Sequence, residues 1–174
     1  MKKLEDYIID VPNFPKEGII FRDITGVLQD PEGLKLAVDS IVKDLNDVNF
    51  DIIVAPESRG FVFGVPVAYN MGKGFIPARK KGKLPRETVE IEYDLEYGST
   101  ALQLHKDSIK KGDRVVIVDD LIATGGTLKA LAGLIETLGG EVVKICACIE
   151  LLGLNGRAVL KDYNVSSLIK YEGN

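Results

Sequence analysis

Residues 115–127 read VVIVDDLIATGGT. Val115–Val118 is a short unbroken apolar run after a KKGD turn at 110–113, the pattern of a fully buried strand. It ends in two adjacent carboxylates, Asp119 and Asp120. Ala123, Thr124, Gly125, Gly126 and Thr127 then lead into the amphipathic helix TLKALAGLIETL, residues 127–138, which Gly139 and Gly140 stop. The glycines let main-chain N–H groups crowd around one anion. The threonine hydroxyls add donors, and the helix N-terminus adds positive potential. That describes a monophosphate cradle. The carboxylates upstream cannot favourably meet phosphate, so they should face hydroxyl groups; acids for two hydroxyls beside a loop for one phosphate point to a ribose 5-phosphate. No Lys-Ser/Thr follows the glycines and no GxGxxG is present, so neither the Walker nor the dinucleotide pattern applies.

The flanking chain keeps the alternation. A helix is expected near 31–46, where Asp30 can cap it, Pro31 suits its first position, and Leu34, Val38, Ile41, Val42 and Leu45 share one face. FDIIVAP (50–56) reads as a buried strand, ESRG (57–60) as a loop, and FVFGVPVAYNMG (61–72) as a helix despite Pro66. A strand resumes at 75–79, and VEIEYDLEYGSTALQLH (89–105) alternates like a ribbon or hairpin. EVVKICACIELL (141–152) is another buried strand, and SLIKY (167–171) a last one. Apolar strands alternating with helices imply an α/β fold whose parallel sheet is covered on both faces. Ligands bind such sheets beyond the carboxyl ends of the strands. Three unusual polar loops fall there: 57–60, 79–86 and 119–127.

The 174 residues suit a single domain, with no repeat, low-complexity tract or linker. A net charge of −4 argues against a nucleic-acid binder relying on global attraction to phosphates, though not against a local basic site. No stretch approaches the ~20 apolar residues of a membrane span. MKKLEDYIID carries acids where a signal peptide needs an apolar core, so a cytoplasmic protein is expected. Cys146 and Cys148 lie two apart in an apolar run, where a buried reduced role is expected.

The segment 115–127 resembles the signature of the type I phosphoribosyltransferases, which bind 5-phosphoribosyl 1-diphosphate. The resemblance implies a parallel sheet of about five strands flanked by helices, with a small N-terminal hood (about 1–30) and a flexible lid ribbon (about 79–99). It implies that Asp119 and Asp120 contact the ribose hydroxyls and that Ala123–Thr127 bind the 5′-phosphate. Glu57, Ser58, Arg59 and Gly60 alone read as a strand-to-helix turn; by resemblance they form the diphosphate loop, often with a non-proline cis peptide. Arg79, Lys80, Lys81, Lys83 and Arg86 put five cations within eight residues, which could be a solvated loop. RKKGKLPRETV and YDLEYG resemble the lid of the adenine phosphoribosyltransferases, with Arg79, Lys80 and Lys83 as diphosphate contacts. Gly82 and Gly98 are the lid's glycines, hence its natural points of backbone freedom.

Base choice rests on three further pieces. FPKEGIIFRDIT (14–25) resembles that family's hood, with the Ile20 backbone at adenine and Phe21 stacking beneath the ring. YDLEYG supplies Glu96, which the resemblance puts near the purine N7 as a proton-transfer group, with Tyr97 beside it. IELLGLNGR (149–157) supplies Leu151, which would close the base pocket opposite the hood. The implied reaction is attack of adenine N9 on ribose C1 with loss of diphosphate, giving AMP in purine salvage. Glu96 and Arg59 are the expected catalytic groups, and Arg59 also borders the base. Mg²⁺ is expected to be bound mainly through the substrate, with no direct protein ligand, and a homodimer is expected from the family. Two rivals stand beside this reading: transfer to another base such as xanthine or hypoxanthine, and a DNA-binding regulator that kept the donor fold.

Overall fold

The structure, a computed structural model, describes residues 2–94 and 98–173. A short 3-10 turn (Leu4–Tyr7) precedes β1 (Ile9–Pro12) and β2 (Ile20–Asp23), an antiparallel hairpin that forms its own two-stranded sheet. Then come α1 (Thr25–Gln29), α2 (Pro31–Leu45), β3 (Ile52–Pro56), α3 (Arg59–Asn70) and β4 (Gly74–Lys80). The ribbon strands β5 (Thr88–Asp94) and β6 (Ser99–His105) precede β7 (Arg114–Ile122), α4 (Gly126–Thr137) and β8 (Glu141–Leu151). A 3-10 turn (Leu152–Leu154), α5 (Gly156–Val159) and β9 (Val165–Tyr171) complete the chain.

The main sheet has seven strands in the order β5-β6-β4-β3-β7-β8-β9. Five of them, β4 to β9 in that order, are parallel. Among the described residues, the antiparallel ribbon joins them through two register pairs, Arg79↔Gln103 and Lys80↔Leu102. Strand side chains alternate between two cores, as a period of two requires. Val116, Val118, Cys146 and Cys148 pack toward α2 and α3, whereas Val115, Ile117, Ile145 and Ala147 pack toward α4. Both cysteines are free and buried, and burial pushes their thiols up to about 12.

Local chemistry places the elements. Asp30 caps α2 by accepting from the backbone N–H of Glu32 (2.9 Å) and of Gly33 (3.2 Å), with Pro31 at the first position. Pro66 sits within α3. Gly64 keeps α3 close to the sheet, because a Cβ there would lie 2.7 Å from the Phe75 ring. Several boundaries differ from the sequence reading: α3 begins at Arg59, so only Glu57 and Ser58 of the expected 57–60 loop precede the helix, and the last strand begins at Val165. The strand expected over 50–56 begins at Ile52, and the strand expected to end at Asp120 pairs with β8 as far as Ile122. Ile122 is buried to 1 % exposure, so core packing carries the strand past its carboxylates.

Candidate active site

Strands β3 and β7 lie side by side, paired from Ile52↔Val115 to Val54↔Ile117, so their carboxyl ends open onto one place. There Glu57, Ser58 and Arg59 face Asp119, Asp120 and residues 123–127 across a cavity of about 240 Å³. The Glu57–Ser58 peptide is cis. Gly125 takes a left-handed conformation (φ +83°) just before α4, which turns the loop's main chain toward the helix N-terminus. The loop is backed by α5: a Cβ on Gly156 would stand 2.5 Å from the Ala123 carbonyl oxygen. A Cβ on Gly60 would lie 3.0 Å from Asp119 Oδ1 and 3.2 Å from the Val118 carbonyl oxygen, so a side chain there would crowd the carboxylates.

The two carboxylates are buried, at 8 % exposure for Asp119 and 4 % for Asp120. Asp119 Oδ1 accepts from the Asp120 backbone N–H at 2.8 Å. Burial, with the charge of Asp120 beside it, holds the Asp119 carboxyl well above the usual carboxylate range. Burial also raises Asp120, against the opposing pull of Arg59. Arg59 Nε lies 3.0 Å from Asp120 Oδ2, yet the pair is not aligned as a hydrogen bond and that oxygen is buried without a donor. An orphan acceptor of this kind suits a ligand hydroxyl.

A second cavity of about 300 Å³ adjoins the first through the shared residues Arg59 and Leu121. Ile19, Ile20, Phe21 and Arg22 of the hairpin line one side, and Leu151 and Leu154 the other. The Arg59 guanidinium lies 5.6 Å from the Phe21 ring centroid, so one side chain reaches both chambers. The lining is mostly apolar, as a planar base would require.

The structure thus brings together Glu57, Ser58, Arg59, Asp119, Asp120 and Ala123–Thr127, and beside them Ile20, Phe21 and Leu151. Arg79 meets the first cavity only indirectly. Its Nε is 3.5 Å from Glu57 Oε1, and that same oxygen accepts from the Lys80 backbone N–H at 2.5 Å. The Glu57 carboxylate is therefore engaged with the end of β4. Lys80 and Lys83 are exposed and line neither cavity. Glu96 and Tyr97 lie outside the described residues. Sequence reasoning missed Leu121 and Leu154 in the second cavity, and Gly156 behind residues 123–127. The Asn155-Gly156 turn dipeptide was the available signal for the last.

The phosphoribosyl transferase domain family matches residues 26–172. An adenine phosphoribosyltransferase of Lachnoclostridium phytofermentans is 63 % identical over 173 residues, 99 % of each chain. The crystal structure of adenine phosphoribosyltransferase from Thermoanaerobacter pseudethanolicus superposes with a TM-score of 0.94 at 51 % identity, covering 97 % of this chain and 100 % of that one. That from Saccharomyces cerevisiae, complexed with an imino-altritol bisphosphate and adenine, gives 0.89 at 38 % identity, covering 95 % and 96 %. The chain belongs to the adenine phosphoribosyltransferase family.

Proposed function

We infer that this chain transfers the 5-phosphoribosyl group of 5-phosphoribosyl 1-diphosphate to adenine, giving AMP and diphosphate. One observation carries the reading: a buried Asp119–Asp120 pair with an orphan acceptor, set beside a glycine-threonine cradle at a helix N-terminus. The carboxylates hold the ribose hydroxyls and residues 123–127 hold the 5′-phosphate. The Glu57–Ser58 turn and the Arg59–Gly60 start of α3, with Arg79, Lys80 and Lys83 from the end of β4 and the segment after it, grip the diphosphate. Adenine lies between Phe21 and Leu151, oriented by the Ile20 backbone. The N9–C1 bond forms as the C1–O bond to diphosphate breaks, and N9 gives up its proton. Arg59 offsets the departing charge from its position between the chambers. Glu96 assists the proton's transfer.

The adjacent carboxylates Asp119 and Asp120, which line the first cavity, suit Mg²⁺ held chiefly by donor oxygens. When bound, Mg²⁺ would neutralise developing negative charge on the diphosphate. No described helix is long and apolar enough to cross a membrane, and a cytoplasmic place of action agrees with the two free thiols. Val62, Val65 and Tyr69 form an exposed stripe on α3, with Tyr69 89 % exposed, which a second copy in a homodimer would cover. Sedimentation at micromolar concentration tests that pairing; a monomer there sinks it.

Purified protein, labelled adenine, donor and Mg²⁺ should yield AMP. A base panel in which guanine, hypoxanthine or xanthine reacts and adenine does not would overturn the assignment. Glu96→Ala should lower kcat more than it weakens donor binding, and an unchanged kcat would remove the proton role.

A further inference from the structure

The hairpin β1–β2 carries one wall of the base chamber, yet among the described residues no ladder of backbone hydrogen bonds joins it to the main sheet. An isolated two-stranded hairpin holds its place poorly in water, so side-chain contacts must fix it over the body. Arg59 supplies one such contact by reaching from the body to Phe21. Arg22 supplies another in the opposite sense. It sits opposite Asp10 in the hairpin register and forms an ion pair with it. Its guanidinium carbon lies 4.0 Å from the centroid of the Tyr171 ring on β9. The Arg22 side chain is only 12 % exposed, and its Nε is buried without a hydrogen-bond partner. The ring face of Tyr171 and the carboxylate of Asp10 are thus the groups that hold it.

Tyr171 also pairs in register with Leu151 on β8, and Leu151 lines the far wall of the base chamber. The stack therefore runs from one wall to the other: Phe21 neighbours Arg22 on β2, Arg22 covers Tyr171, and Tyr171 lies beside Leu151. We propose that Tyr171 is a positioning residue for the base, its stack with Arg22 setting the spacing between Phe21 and Leu151 and hence base affinity. Neither Tyr171 nor Asp10 lines the sugar-phosphate cavity, so donor binding is untouched. The inference rests on the proposed transfer to adenine.

Steady-state kinetics of Tyr171→Leu and Tyr171→Phe, with each substrate varied, tests it. Tyr171→Leu removes the ring face and should raise KM for adenine about tenfold, leaving KM for the donor and kcat within about twofold. Tyr171→Phe keeps the ring and should behave as wild type. An unchanged KM for adenine in Tyr171→Leu, or an equal rise in both KM values, overturns the proposal. If Tyr171→Leu does not fold, Asp10→Ala decides. Its loss of the ion pair should raise KM for adenine alone by about threefold, and no rise overturns the proposal. Wild-type protein that makes no AMP from adenine would instead refute the reaction on which the inference rests.

Discussion

The hydroxyl of Thr127 donates to the phenol oxygen of Tyr93 across 3.3 Å, tying ribbon strand β5 to the first turn of α4. One of the cradle's two hydroxyls is thereby oriented by a residue outside the cradle. Tyr93→Phe removes the acceptor and leaves the ring packed. A neutral hydrogen bond is worth about 0.5–1.5 kcal/mol, so KM for the donor should rise by roughly two- to tenfold. KM for adenine should not move, and initial-rate kinetics separates the two.

Gly156 fills the space behind residues 123–127, and a side chain there has nowhere to go. Gly156→Ala would press on the Ala123 carbonyl and on Ile122 Cγ2, 2.9 Å from the added carbon. Overpacking of this kind costs about 1–3 kcal/mol. Thermal unfolding should show a lower midpoint, and titration with ribose 5-phosphate should show weaker binding. Equal affinity would mean that the loop tolerates displacement.

Arg157 and Glu150 form a two-point ion pair, with both nitrogen–oxygen distances at 2.7 Å, and Arg157 also donates to the Val165 carbonyl at 2.6 Å. Arg157, beside it first of all, holds the Glu150 carboxyl below its ordinary range. Arg157→Met would leave a carboxylate that is 2 % exposed without its cation. The arginine itself is partly exposed, which discounts the pair, so the expected loss is about 2–3 kcal/mol. Because the folded value is depressed, the pair stabilises above the unfolded value of about 4.3, and that stability fades as pH falls through the folded value. The gap between wild type and variant in urea midpoints should therefore close toward acid pH.

Asp119 runs the other way. Its folded value is raised above the unfolded value of about 3.9, so the folded protein binds more protons and loses stability as pH rises through that window. Asp119→Asn removes the buried charge. It should raise the melting midpoint by a few degrees at pH 7, with the gain vanishing near pH 3, while donor use falls sharply. A variant less stable than wild type at neutral pH would contradict this account.

Most of this was legible because it is local. Asp30, Pro31 and the apolar face behind them specify α2 without help from the rest of the chain. The run from Val115 to Thr127 carries its strand, its acids and its cradle within one segment. What escaped depends on contacts distant in sequence. The β1–β2 hairpin lacks clean alternation, and its connection includes a cis Phe14–Pro15 peptide that sequence does not announce. Leu121 and Leu154 read as ordinary apolar residues until folding brings them to one chamber. The extension of β7 to Ile122 depends on β8, which supplies the partner. The engagement of Glu57 by the end of β4 likewise appears only once β3 and β4 are paired.

Arg79↔Gln103 and Lys80↔Leu102, the two register pairs that join ribbon to sheet, involve residues proposed to hold the leaving group. Suspension and proposed grip are one stretch of backbone. A one-residue slip at this joint would send Arg79 to the opposite face of the sheet. Chimeras that exchange ribbons between relatives should therefore be spliced beyond this joint.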